Sequence, residues 1–261
     1  MNDTIKKESL KFTDSTVFEG MPSISAVIKA IRTGKSDRKI HRILVDSSKI
    51  KQKAKELGFL KAVSSELGFE IEYVDEAIID SMTIGNSHGG IIAECSDRTY
   101  NELCDELIKP DGIYFMIEGI EDPYNFGNAL RSIYAMGADG IVVGKRNWLS
   151  AAGVVARSSA GASELLPIFV SEPSLAVDIL KDHGYKIICA GIRDSISLEE
   201  SDLKKPVFII LGGEKRGISR AILDKATSVV RIDYGTDFAG SLSSAASCAV
   251  FAYEVMKQNK C

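Results

Sequence analysis

The chain has 261 residues, 45% of them apolar and 26% charged, with a formal net charge of −4. That is the composition of a globular protein, with length for one large domain or two modest ones. No apolar run approaches the roughly 18–20 residues that cross a bilayer, the opening MNDTIKKESLKF lacks the apolar stretch of a secretory leader, and neither the 5 scattered cysteines nor the 3 histidines form a metal-binding spacing, which predicts reduced thiols in a cytoplasm and no metal.

Residues 1–17 are polar and are expected to form a loose arm. SISAVIKAIRTG (23–34) carries apolar residues at helical spacing and closes on Gly34, a favoured residue just past a helix end. HRILVDSS (41–48) reads as a strand whose serine pair can cap the next helix, KIKQKAKELGFLKAVSSELG (49–68), with an interruption near Gly58. FEIEYVD (69–75) alternates as a strand, EAIIDSMT (76–83) is a short helix and GGIIAEC (89–95) a strand. Such alternation predicts a small α/β domain over residues 18–97.

This front end is basic. Residues 1–65 hold 14 Lys and Arg against 7 Asp and Glu, a net of +7, so the remainder carries −11. Either the basic part faces a polyanion, with Lys29, Arg32, Lys35, Arg38 and Lys39 as the candidate contacts, or it is a solvated helix face.

SDRTYNELCDELIKP (96–110) reads as a polar helix containing a linker, 98–110, between two domains. Beyond it, GIYFMIEG (112–119), GIVVG (140–144), KIICAGI (186–192), PVFIILG (206–212) and SVVRID (228–233) are nearly continuous apolar runs separated by helical stretches. They predict a mostly parallel sheet covered on both faces. A final helix, SLSSAASCAVFAYEVMKQ (241–258), opens on small residues.

Three loops dense in Gly, Asn, Ser, Glu and Arg each follow an apolar run: DPYNFGNALR (122–131), GGEKRGIS (212–219) and DYGTDFAGSLSS (233–244). Ligands in open parallel sheets sit beyond the carboxyl ends of strands. No G-x-G-x-x-G, G-x-S-x-G or H-E-x-x-H is present, and Ile218 stands where a phosphate loop needs Lys.

Together these loops resemble the three motifs of the SpoU (TrmH-type) RNA methyltransferases of the SPOUT class. The first motif is matched by Asn125, Gly127 and Arg131 after Asp122 and Pro123, and the second by Gly212, Glu214 and Gly217. The third is matched by Ile232, Ser241 and Leu242, with Ser243 where the family has Asn. SSAGASELLP (158–167) is similar to an intermediate Ser-x-Gly-Ala segment at Ser159, Gly161 and Ala162. The likeness covers 111–261, and the front domain is similar to an L30e-like substrate-binding domain, SHGGIIAE (87–94) standing for a His-Gln-Gly-Val segment.

The resemblance implies an α/β fold with a deep C-terminal trefoil knot, S-adenosylmethionine as cofactor, structured rRNA or tRNA as substrate, a 2′-O-methylated ribose as product, and a homodimer packed partly through the last helix. It implies cofactor contacts at Leu211, Gly212, Gly213, Ile232 and Leu242, and catalytic roles for Asn125, Arg131, Glu214, Ser241 and Ser243. Arg131 would act as proton acceptor or as a phosphate clamp; a guanidinium holds its proton near neutrality, which favours the clamp. Asn125 would hold Arg131 or the ribose, or merely cap a turn. Glu214 would pair with Arg131 or be a solvated loop carboxylate, and Ser241 would bind ligand or cap the last helix. Ser243 has one hydroxyl where Asn has two donors and an acceptor. Three readings therefore stand: an active ribose methyltransferase, an RNA-binding protein that keeps the fold without turnover, or a methyltransferase for a base or another acceptor.

Overall fold

The computed structural model describes residues 16–83, 88–144, 151–213 and 215–260. They form two compact units. The first holds the chain up to Thr99 together with Asn147–Leu165; the second holds Tyr100–Arg146 and Leu166 onward. Residues 151–165 lie inside the second domain of the sequence reading and group with the first unit in the structure.

The first unit is built on a sheet of β1 (Val17–Glu19), β2 (Ile40–Asp46), β3 (Glu70–Val74) and β4 (Ile91–Cys95), in the order β1-β4-β2-β3. β2 and β3 are parallel and the other neighbours antiparallel. Alternation along β2 sends Ile43 and Val45 into one apolar cluster and Leu44 into another. The larger cluster is covered by α1 (Gly20–Arg32) and α2 (Ala54–Leu67), and the smaller by Ile79 of α3 (Glu76–Met82). α1 stops as its sequence suggests: Thr33 is the C-cap, and Gly34 takes φ +68°, a left-handed turn that glycine adopts without strain.

α2 differs from the expected 49–68 helix. The chain first makes a 3-10 turn, Ser47–Lys49, capped by the Asp46 carboxylate accepting from the Ser48 amide at 2.9 Å rather than by the serine pair. The helix then runs through Gly58 without a break, because that position is exposed and a mid-helix glycine costs only about 1 kcal/mol. Two short helices complete the unit, α5 (Ala152–Ser158) and α6 (Ala162–Leu165). Gly161, at φ +85°, separates them where a Cβ would stand 2.3 Å from the Ala26 Cβ. The Ser-x-Gly-Ala segment is thus a tight turn pressed against α1.

The second unit carries an eight-stranded sheet in the order β10-β12-β9-β11-β6-β7-β8-β5, and every pair is parallel. Its strands are β5 (Asn101–Glu102), β6 (Ile113–Glu118), β7 (Gly140–Val143), β8 (Ile168–Val170), β9 (Lys186–Ala190), β10 (Ile196–Ser197), β11 (Val207–Gly212) and β12 (Ser228–Arg231). One face packs on α7 (Pro173–Asp182) and the short α8 (Arg220–Leu223), around Tyr114, Met116, Val177, Leu180, Phe208 and Ile222. α4 (Pro123–Ala135) and α9 (Ser244–Gln258) pack on one another, α9 also contacts β11, and Leu130, Ile133, Phe251 and Val255 are buried there. Each such side chain contributes about 1.5–3 kcal/mol by leaving water.

The expected linker helix at 96–110 is absent. Asn101–Glu102 joins the sheet edge beside β8, and Leu103 and Ile108 are buried five residues apart, a spacing no single helix face provides. The last helix starts at Ser244, not 241, because the Ser243 hydroxyl caps it.

Candidate functional site

The three loops leave the carboxyl ends of β6, β11 and β12. β6 and β11 are neighbours in register, Gly212 opposite Glu118, so the first two loops start side by side. The third reaches them through Ser244, whose hydroxyl donates to the Gly212 carbonyl at 3.0 Å.

In the first loop Asp122 is the N-cap of α4, accepting from the Tyr124 amide at 2.8 Å, with Pro123 in the first turn. The cap is therefore Asp122, and Asn125 lies inside the helix, half-buried. Arg131 is exposed on the same helix. The two are six positions apart, about 9 Å along the axis and about 120° around it, so they do not share one face.

The second loop starts from a strand whose Leu211 is 1% exposed, so its side chain cannot meet a ligand as it stands. Gly212 and Gly213 are small for a reason. A Cβ on Gly212 would lie 2.6 Å from the Gly217 Cα, and one on Gly213 would lie 2.4 Å from the carbonyl of Gly119. Gly213 and Gly217 form an antiparallel bridge that doubles the loop back. Glu214 lies outside the described residues. Lys215 pairs with Glu121 at 2.6 Å.

In the third loop Ile232 is half-buried one residue past β12, and Ser241, Leu242 and Ser243 are exposed. The Leu242 amide donates to the Tyr234 hydroxyl at 3.1 Å, and the Tyr234 and Phe238 rings lie 5.8 Å apart. The Ser243 hydroxyl accepts from the Ala246 amide at 3.2 Å. The cap of the last helix is thus Ser243, which leaves Ser241 uninvolved in capping.

The residues fit the purine ring of a nucleoside. Tyr234, Phe238 and Leu242 leave apolar surface exposed on the third loop, and Gly212 and Gly213 leave the start of the second loop without side chains. Main-chain amides and carbonyls can read adenine edges there, and the apolar side chains can cover its ring.

The basic candidates of the first unit separate. Arg38 is a correction: it is 3% exposed and cannot meet a phosphate as it stands. Its Nε donates to Glu164 Oε2 at 2.9 Å, its Nη1 to the Ser96 carbonyl at 2.8 Å, and its guanidinium lies 4.8 Å from the centre of the Phe18 ring. Arg32 is held by Glu66, its Nε donating to Oε1 at 2.9 Å. Lys35 Nζ donates to the Leu165 carbonyl at 3.3 Å, while Lys29 and Lys39 are simply exposed. Sequence reasoning did not single out Lys51 and Lys55, both exposed, near the exposed Phe59. Their signal was present in KIKQKAKELGF, a lysine at every second position before an aromatic.

Comparison with known proteins decides the family. Residues 112–253 match the SpoU rRNA Methylase family, and residues 24–101 match the RNA 2′-O ribose methyltransferase substrate-binding domain.

The chain belongs to the SpoU rRNA methylase family.

A protein of Bacillus subtilis (strain 168) assigned to the TrmH family of tRNA/rRNA methyltransferases is 26% identical over 235 residues, 87% of this chain and 92% of that one. A crystal structure of an RNA 2′-O ribose methyltransferase superposes with a TM-score of 0.77 at 26% identity, covering 98% of this chain and 96% of the other. The AdoMet-bound rRNA methyltransferase of Sinorhizobium meliloti shares the fold, with a TM-score of 0.74 at 21% identity over 100% of this chain and 96% of its own. The family match spans all three loops, and the substrate-binding match spans most of the first unit. The finding agrees with the α/β, mostly parallel architecture expected from the apolar runs.

Proposed function

We propose that this SpoU-family chain transfers a methyl group from S-adenosylmethionine to a ribose 2′-hydroxyl of structured RNA. The observation that carries the reading is the convergence of the three motif loops, with Gly212 opposite Glu118 and Ser244 bonded to Gly212. Two methyltransferases of the same fold, an rRNA methyltransferase from Sinorhizobium meliloti and a SpoU methyltransferase from Streptomyces viridochromogenes, have AdoMet bound, which supports the cofactor. Residues Gly212, Gly213, Ile232 and Leu242, with the backbone of Leu211, would hold it, and when bound it supplies the methyl group. The knotted C-terminal path belongs to the same proposal, supported by the likeness of the whole chain to an RNA 2′-O ribose methyltransferase.

The chain's own residues have to fix the acceptor. A ribose hydroxyl is a poor nucleophile, so orientation and charge placement dominate. Arg131, exposed on α4, offers a fork of donors that matches a phosphate flanking the target ribose. Asn125 and Ser241 are the candidates for holding the ribose itself, and Glu214, outside the described residues, is the candidate for orienting Arg131. Lys29, Lys35 and Lys39, with Lys51 and Lys55, would hold RNA phosphates on the first unit. The homodimer rests on the exposed Tyr253 of α9 and Tyr124 of α4, two helices that pack on each other.

The test is methyl transfer to a confirmed RNA target. Arg131→Ala is expected to lower single-turnover methylation by about a hundredfold or more, with unchanged thermal unfolding because the side chain is exposed. Unchanged methylation would remove Arg131 from the site.

A further inference from the structure

We propose that Glu118 is a positioning residue that clasps both ends of the 213–219 loop, and so holds in place the backbone against which the cofactor would lie. The second half of this statement rests on the reading above; the first does not.

Glu118 ends β6, four residues before the Asp-Pro that opens the first motif. Its main chain takes one end of the loop: the Gly213 amide donates to the Glu118 carbonyl at 2.6 Å. Its side chain takes the other: the Ser219 amide donates to Glu118 Oε2 at 2.8 Å. Between them the loop folds back through the Gly213–Gly217 bridge, and Gly213 is pressed on Gly119 so closely that no side chain could intervene. The nearby lysine, Lys215, is bound to Glu121 at 2.6 Å. The Ser219 bond is charge-assisted, and such bonds are roughly twice as strong as neutral ones. Because Ser244 ties Gly212 to the last helix, Glu118 and Ser244 together join all three motif loops. Loosening Ser219 would free the loop at the point where only a side chain holds it.

Three variants of the full chain test this. Glu118→Ala removes the acceptor. Glu118→Gln keeps an oxygen for the Ser219 amide. Ser219→Pro removes the donor at a residue whose φ, −66°, proline already prefers. Amide hydrogen exchange without cofactor reads the loop, and calorimetry with S-adenosylmethionine reads the site. In Glu118→Ala, exchange at Gly213–Ile218 is expected to rise about tenfold or more, and the S-adenosylmethionine Kd to rise by a similar factor. Ser219→Pro should match it, the double variant should be no worse, and Glu118→Gln should recover most of the loss. Loop exchange equal to wild type in Glu118→Ala and Ser219→Pro, or Glu118→Gln as impaired as Glu118→Ala, overturns the clasp. Should Glu118→Ala fail to fold, Ser219→Pro against Glu118→Gln decides the same question. A loop that loosens in a chain giving no heat with S-adenosylmethionine upholds the clasp and removes the cofactor reading. A chain that binds S-adenosylmethionine with exchange unchanged by the variants does the reverse.

Discussion

Arg38 shows how far a residue's charge can mislead when its surroundings are unknown. In sequence it is one of several cations after a helix; in the structure it and Glu164 are almost wholly buried, 1% and 2% exposed at the side chain. Breaking such a pair leaves an uncompensated buried charge, which destabilises by about 3–5 kcal/mol. Arg38→Ala is expected to lower the stability measured by urea unfolding by that amount, and a joint Arg38→Met and Glu164→Leu exchange to restore most of it; an unchanged midpoint in the single variant would deny the pair its role. No sequence signal joined residues 126 positions apart, so this contact was illegible. The buried thiols are a second residue-scale case. Burial pushes Cys95 and Cys189 up to about 12. A raised thiol contributes stability that is complete below its unfolded value, about 8.5, and is lost as pH climbs toward about 12. The unfolding midpoint should therefore fall across that window, and both thiols should resist alkylation in the native chain while the exposed Cys104 reacts.

At the scale of elements, the helix that follows the third loop places the family's departure in a physical role. Ser243 caps α9, and its removal to Ala should destabilise the protein by about 1 kcal/mol. Asn caps equally well, so Ser243→Asn should leave stability unchanged. If the lost amide limits turnover, the same variant should raise the methylation rate; a rate unchanged by Asn would mean that Ser243 is here a cap and nothing more. The regular elements were readable because their periods are: β6, β9 and β11 are continuous apolar runs, and α1 repeats every three to four residues up to Gly34. The short ones were not. β8 and β5 span three and two residues, too few to show a period, and they are strands only because β7 and its neighbours offer an edge.

For the whole molecule, two lines of sequence carried the functional reading, the basic front and the three loops. The loops were legible as a group because each follows a buried apolar strand and is dense in Gly, Asn, Ser, Glu and Arg. Their connection was not, since Glu118 and Ser244 act through bonds that cross from one strand or helix to another. On the first unit, phosphate contacts release counterions, so RNA affinity should fall steeply with salt. Reversing Lys51 and Lys55 to Glu should flatten that slope by about one unit for each phosphate no longer bound, whereas a slope unchanged by reversal there and at Lys29, Lys35 and Lys39 would place RNA elsewhere. The central claim, methylation of a ribose 2′-hydroxyl, is tested most directly by mapping modified nucleotides in total RNA from cells with and without the gene. The expected result is one ribose that loses its resistance to alkaline cleavage when the gene is removed and regains it when the purified chain and S-adenosylmethionine are added. A methyl group that maps to a base, or identical maps from the two cell lines, would contradict it.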